Sequence, residues 1–126
     1  MIKLYFWANG LIYLLFALWC TFKKEQTSLA SGYSEITNSG WSEYLVIYGG
    51  LQLGLAAFFT YLALHSEYHR IGIVFSLALY LPIVIYRLLS VYSYWPVKTI
   101  TLGIAGMEVV LLIGAVLGFC LLHKSG

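Results

Sequence analysis

Four long apolar runs leave this chain few folds to adopt: about Leu4 to Phe22, Tyr44 to Leu64, Ile71 to Tyr92 and Thr99 to Leu122. Each holds roughly 19 to 24 residues, against the ~20 that cross a hydrocarbon core ~30 Å thick. A strand crossing a bilayer would alternate apolar and polar residues, and an open sheet edge cannot face lipid. These runs do not alternate. The pattern predicts an all-α membrane protein, a four-transmembrane-helix bundle in antiparallel up-down order, with one long polar loop between the first and second helices. At 126 residues, the whole of 1–126 reads as a single four-helix integral membrane domain. Only 10% of the residues are charged and 61% are hydrophobic, whereas soluble domains run near about 25% charged. The formal net charge of +2 is small and scattered, which argues against nucleic acid as a partner and leaves the lipid bilayer as the expected surroundings.

The first run has a basic start at Lys3, yet its apolar core is too long for a signal peptide. Lys23-Lys24 follow it in place of a small-x-small cleavage site, so it reads as a retained helix. Cys20 and Cys120 close the first and fourth spans, on opposite faces in an up-down bundle, where they cannot bridge. The polar segment "KKEQTSLASGYSEITNSGWSE" is long for a compact domain. Its aromatics Tyr33 and Trp41 either fold back as a lid or sit at headgroup level, and interfacial anchoring is the favoured reading. Pro96 suits the turn just before a helix start. Lys3, Arg70 and Lys124 fall on one side and Lys23, Lys24 and Lys98 on the other, so the positive-inside rule does not decide orientation. The expectation is a bacterial inner membrane with both termini cytoplasmic.

Two full charges interrupt the spans. A charge at a helix centre costs ~2.5 to 3.5 kcal/mol on insertion scales, so such residues usually pair or face a wet cavity. At ~1.5 Å per residue, Arg87 lies roughly 24 Å from the "HSEYHR" turn, and Glu108 roughly 22 Å from His123. The third and fourth spans are joined by a short turn and should be neighbours. Equal depth, adjacent helices and opposite sign predict a buried Arg87–Glu108 ion pair. Helical periodicity adds Tyr80 and Ser90 to the Arg87 face, and Thr101, Ala105 and Ala115 to the Glu108 face. Tyr48, Gly49 and Gln52 share a stripe on the second span, with Gln52 roughly 13 to 18 Å from either end. Asn9 and Tyr13 lie nearer the opposite surface. The candidate ligand-binding residues are therefore Arg87, Glu108, Gln52, Tyr48, Ser90 and Tyr80, with Pro82 expected to open the third helix just below them. The competing reading is structural, since the pair would also serve to bridge two helices.

Gly50 and Gly54, and Gly114 and Gly118, stand at the small-xxx-small spacing that lets helices approach closely. "YGGLQLG" lacks the Lys-Ser/Thr of a phosphate loop. His65, His69 and His123 gather at one face and read as a solvated turn and tail. No metal site and no cofactor is expected.

Three motifs, "YGGLQLG" on the second span, "YRLLS" toward the end of the third, and a glutamate in the fourth, carry a family resemblance. The chain resembles, over nearly its whole length, the bacterial four-helix membrane proteins of domain of unknown function 4345. The recurring elements of that family correspond here to Tyr48, Gly49 and Gly50, to Arg87 and Ser90, and to Glu108. Members usually show a glycine just before the arginine, where this chain has Tyr86. The resemblance implies no activity. A looser, fold-level similarity is to the sterol-isomerase and DoxX-like bundles, which enclose a pocket between helices.

Three functions compete. The first is an intramembrane pocket for a small lipophilic ligand with a polar head, in which Arg87 holds an anionic or carbonyl group; proton-transfer catalysis is a minor branch. The second is a non-catalytic accessory subunit or stabiliser of a larger complex, with another membrane protein as partner. The third is a proton-coupled small transporter, ranked last because a carboxylate neutralised by arginine is poorly suited to cycle protons.

Overall fold

The computed structural model describes residues 1–125. Five helices follow one another: α1 (Ile2–Phe22), α2 (Lys24–Ala30), α3 (Asn38–Leu64), α4 (His69–Ser93) and α5 (Thr99–Ser125). A short 3₁₀ turn, Ser66–Tyr68, leads into α4, and the turn between α4 and α5 carries a cis Trp95–Pro96 peptide. Among the described residues there is no strand. Helices α1, α3, α4 with its leading turn, and α5 are each long and apolar enough to cross a membrane. Their outward faces carry Leu15, Leu18, Leu53, Ile85, Leu88, Val110 and Ile113, apolar side chains suited to lipid. These are the features of an integral membrane protein.

The polar segment after α1 is not a bare loop. Its first part, "KEQTSLA", forms α2. Gly32 ends this helix at φ +100, a left-handed conformation that glycine adopts without a Cβ clash. The Tyr33 amide donates to the Ser28 carbonyl at 2.9 Å and the Gly32 amide to Leu29 at 3.1 Å. That pair of bonds is the Schellman stop, which satisfies the last orphan carbonyls of a helix. Thr37 then caps α3, its Oγ1 accepting from the Gly40 amide at 3.1 Å, as a threonine N-cap does. Within α3 the residues Val46–Leu51 form a π-helical turn, a widening often found at functional sites. Helix α4 runs unbroken through Pro82.

Packing brings α1 chiefly onto α3, and α4 chiefly onto α5. The core is aromatic and aliphatic: Phe6 and Tyr13 from α1, Phe59 and Leu62 from α3, Ile73 and Tyr80 from α4, and Leu111 from α5. Tyr13 stacks on Phe59 with ring centroids 5.7 Å apart. Lipid tails are as apolar as leucine, so such bundles rely on close packing and small residues. Gly118 and Gly114 do this as expected, lying under Ile73 and the Tyr5 ring. Gly50 and Gly54 do not, since each faces open space. Four-residue spacing shows that two glycines share a face, but not that the face is the inner one. On α3 the buried stripe is Gly49, Ala56, Phe59 and Ala63, and Gly50 and Gly54 fall beside it.

The one glycine of α4 is Gly72, where a Cβ would meet the Phe6 ring at 2.8 Å and Leu62 at 2.9 Å. Both neighbours are fully buried and have little room to yield. Gly72→Ala should destabilise by about 1–3 kcal/mol through overpacking. Gly54→Ala, facing open space in a helix, should be neutral or stabilising by up to about 1 kcal/mol. Thermal unfolding of the two variants in detergent checks the ordering.

Candidate functional site

Inside the bundle the Nε of Arg87, on α4, donates to Glu108 Oε1, on α5, at 2.7 Å. The pair expected from depth and sign is formed. The bond runs through Nε alone, and among the described residues the two Nη nitrogens have no protein acceptor. The Arg87 side chain keeps 34% of its surface accessible, against 9% for Glu108. A guanidinium can clasp a carboxylate with two parallel bonds, so this grip leaves donor capacity over.

That capacity opens onto a cavity of about 270 Å³. Phe16 and Trp19 of α1, Ile83 of α4, and Ile104, Met107 and Leu111 of α5 form its apolar wall. Tyr48, Gln52, Arg87 and Glu108 supply the polar part, and Tyr80 lies at its border. Five of the six residues expected at the site therefore share one cavity. Ser90 is the exception and corrects that expectation. It is exposed, and its Oγ donates to the Arg87 carbonyl at 3.0 Å. Three residues advance a helix by about 300°, which leaves Ser90 at the edge of the Arg87 face. The long arginine side chain reaches inward from there, and the short serine bonds its own backbone instead.

The α2 segment closes one side of the cavity, with Thr27 and Ser31 in its wall. Thr27 Oγ1 and the Tyr44 hydroxyl lie 2.7 Å apart and hydrogen bond. Tyr44 stacks on Tyr48 at 4.5 Å, and Tyr48 shares a 3.1 Å hydrogen bond with Tyr33. Lys98 Nζ donates to the Leu29 carbonyl at 2.6 Å, tying α2 to the start of α5. Lys24 sits over the Trp41 ring, 5.0 Å from its centroid. Tyr33 thus packs against Tyr44 and Tyr48 while remaining exposed on its other side.

A second polar node, whose partners the sequence reading did not identify, joins α1 to α4 and α5. Asn9 is fully buried between helices. Its Oδ1 accepts from the Tyr80 hydroxyl, and its Nδ2 donates to the Tyr5 carbonyl at 2.8 Å. The Tyr5 hydroxyl in turn donates to the Leu111 carbonyl at 2.8 Å. Helix α1 is thereby bonded to both α4 and α5. The available signal was a lone carboxamide in an apolar span, a group that must find a partner when buried.

The three histidines lie outside this cavity. His65 Nδ1 pairs with the Tyr61 carbonyl at 2.9 Å, the His69 ring packs against Phe6 at 5.2 Å, and His123 stacks on Phe119. Among the described residues no group of three or more potential ligands could hold a metal ion. Cys20 lines the cavity and Cys120 is exposed; both are free thiols. Comparison with protein-family models, with curated proteins and with solved structures finds no match to this chain.

The Asn9–Tyr80 bond has a direct test. Asn9→Leu alone strands the Tyr80 hydroxyl, whereas Asn9→Leu with Tyr80→Phe removes both partners. The double variant should recover part of the loss, with a coupling of about 0.5–2 kcal/mol in a double-mutant cycle of detergent unfolding. Strict additivity would mean the bond contributes nothing.

Proposed function

We propose that this chain is an integral membrane protein that binds a small lipophilic molecule by its polar head, with Arg87 receiving the head. One observation carries the reading: an apolar cavity converges on a guanidinium whose Nη nitrogens the adjacent carboxylate leaves unused. A purely structural pair would be better served by a closed, two-bond clasp, because a buried ion pair is weakly stabilising at best. Glu108 fixes the orientation of Arg87. Gln52 and Tyr48 set the geometry of the head, and Phe16, Trp19 and Met107 accept the tail. The volume of about 270 Å³ is just below the usual range of ligand pockets, which begins around 300 Å³, and suits a compact head with part of a chain.

The reading includes an up-down antiparallel bundle. Supporting it, Gly10, earlier in α1, lies against Thr60 late in α3, while Gly49, earlier in α3, lies against Thr21 at the end of α1. An even number of spans puts both termini on one side, which we assign to the cytoplasm of a bacterial cell. Kinship with domain of unknown function 4345 is proposed on the same motifs, of which Tyr48, Arg87 and Glu108 meet at the cavity.

Native mass spectrometry of protein released from gently extracted membranes tests the function. The wild type should carry a reproducible small-molecule mass that Arg87→Ala loses while remaining folded. An empty wild-type monomer would overturn the reading, and co-release of a larger partner would transfer it to the accessory-subunit function.

A further inference from the structure

Which head group the cavity takes follows from the charge on its wall. Among the described residues, Arg87 and Glu108 are the only lining residues with a full charge, and they neutralise each other across 2.7 Å. The lysines at the cap are engaged elsewhere, Lys98 Nζ on the Leu29 carbonyl and Lys24 over the Trp41 ring. A carboxylate or phosphate seated on the Nη side of Arg87 would add one uncompensated negative charge beside Glu108, with no second cation to meet it. Intramembrane charge without a partner is strongly disfavoured. A neutral head with an acceptor oxygen meets no such opposition. It would find the Arg87 Nη donors, the Gln52 carboxamide and the Ser31 hydroxyl. No hydrogen bond to another protein group occupies the Gln52 or Ser31 side chains among the described residues, and both line the cavity. A hydrogen bond from an ionised donor to a neutral carbonyl is also stronger than one between neutral groups.

We infer that the cavity selects a neutral lipophile ending in a carbonyl oxygen, a ketone, aldehyde or ester, and discriminates against ionised lipids such as fatty acids. This inference rests on the binding-site reading above. Glu108 is then a selectivity residue as well as an anchor, because its negative charge cancels the attraction that a lone arginine would exert on anions.

Trp19, in the cavity wall, supplies the reporter. The full chain in detergent micelles would be titrated at pH 9 with a brominated twelve-carbon methyl ketone and with the brominated fatty acid of equal length, which is ionised there. The quenching lost in Trp19→Phe isolates the cavity signal. The ketone should quench saturably with an apparent affinity at least about tenfold above that of the acid, as expected for a like charge opposed at short range. Glu108→Gln, which leaves the wall with a net positive charge, should reverse the order. Equal or tighter binding of the acid to the wild type would overturn the inference while leaving the binding site standing. Absence of saturable quenching by either probe would overturn both. If Glu108→Gln does not fold, the wild-type ratio alone decides.

Discussion

A carboxylate set among apolar helices has to be neutralised where it stands, and Arg87 is the group that does this for Glu108. The attraction between the two side chains is strong at low dielectric, but so is the penalty for removing them from water. The pair therefore specifies an arrangement more than it stabilises one. It fixes α4 against α5 in rotation and depth, and through the Nε-only bond it aims the rest of the guanidinium at the space between the helices. The cavity and its polar end follow from that geometry.

The surrounding structure keeps the space open. Asn9 and Tyr80 lock α1 to α4 below it, while Tyr5 reaches across to the backbone of α5. Small residues let helices meet closely elsewhere, at Gly10 against Thr60 and Gly72 against Phe6. On the other side, α2 is held by Lys98 and by the tyrosine stack that begins at Tyr33. The π-helical turn of α3 sits beside this stack and contains Tyr48. Rigid packing on one side of the cavity thus faces a small, exposed, hydrogen-bonded cap on the other.

The sequence made some of this legible because the relevant signals were local or one-dimensional. Span lengths follow from counting apolar residues. The Arg87–Glu108 contact follows from sign, depth and a short connection, none of which depends on how a helix is rotated. What depended on rotation was read less well. Gly50 and Gly54 had the right spacing on the wrong face, Ser90 lay at the edge of its stripe, and Asn9 needed a partner that only the packing of α1 on α4 identifies. Helix α2 is a different case. Its glycine stop at Gly32 was present in "ASGY" but was overshadowed by the polar character of the segment.

Nitrogen-15 spectroscopy of the guanidinium groups, in protein held in micelles, tests the central pairing most directly. The chain has an internal reference in Arg70, which is exposed. The account predicts that the Arg87 Nε proton exchanges with water at least about tenfold more slowly than that of Arg70, as a buried charge-assisted bond requires. It also predicts that this resonance shifts in Glu108→Gln. An Arg87 Nε proton that exchanges like that of Arg70 and ignores the substitution would contradict the pairing, and with it the cavity geometry built on it.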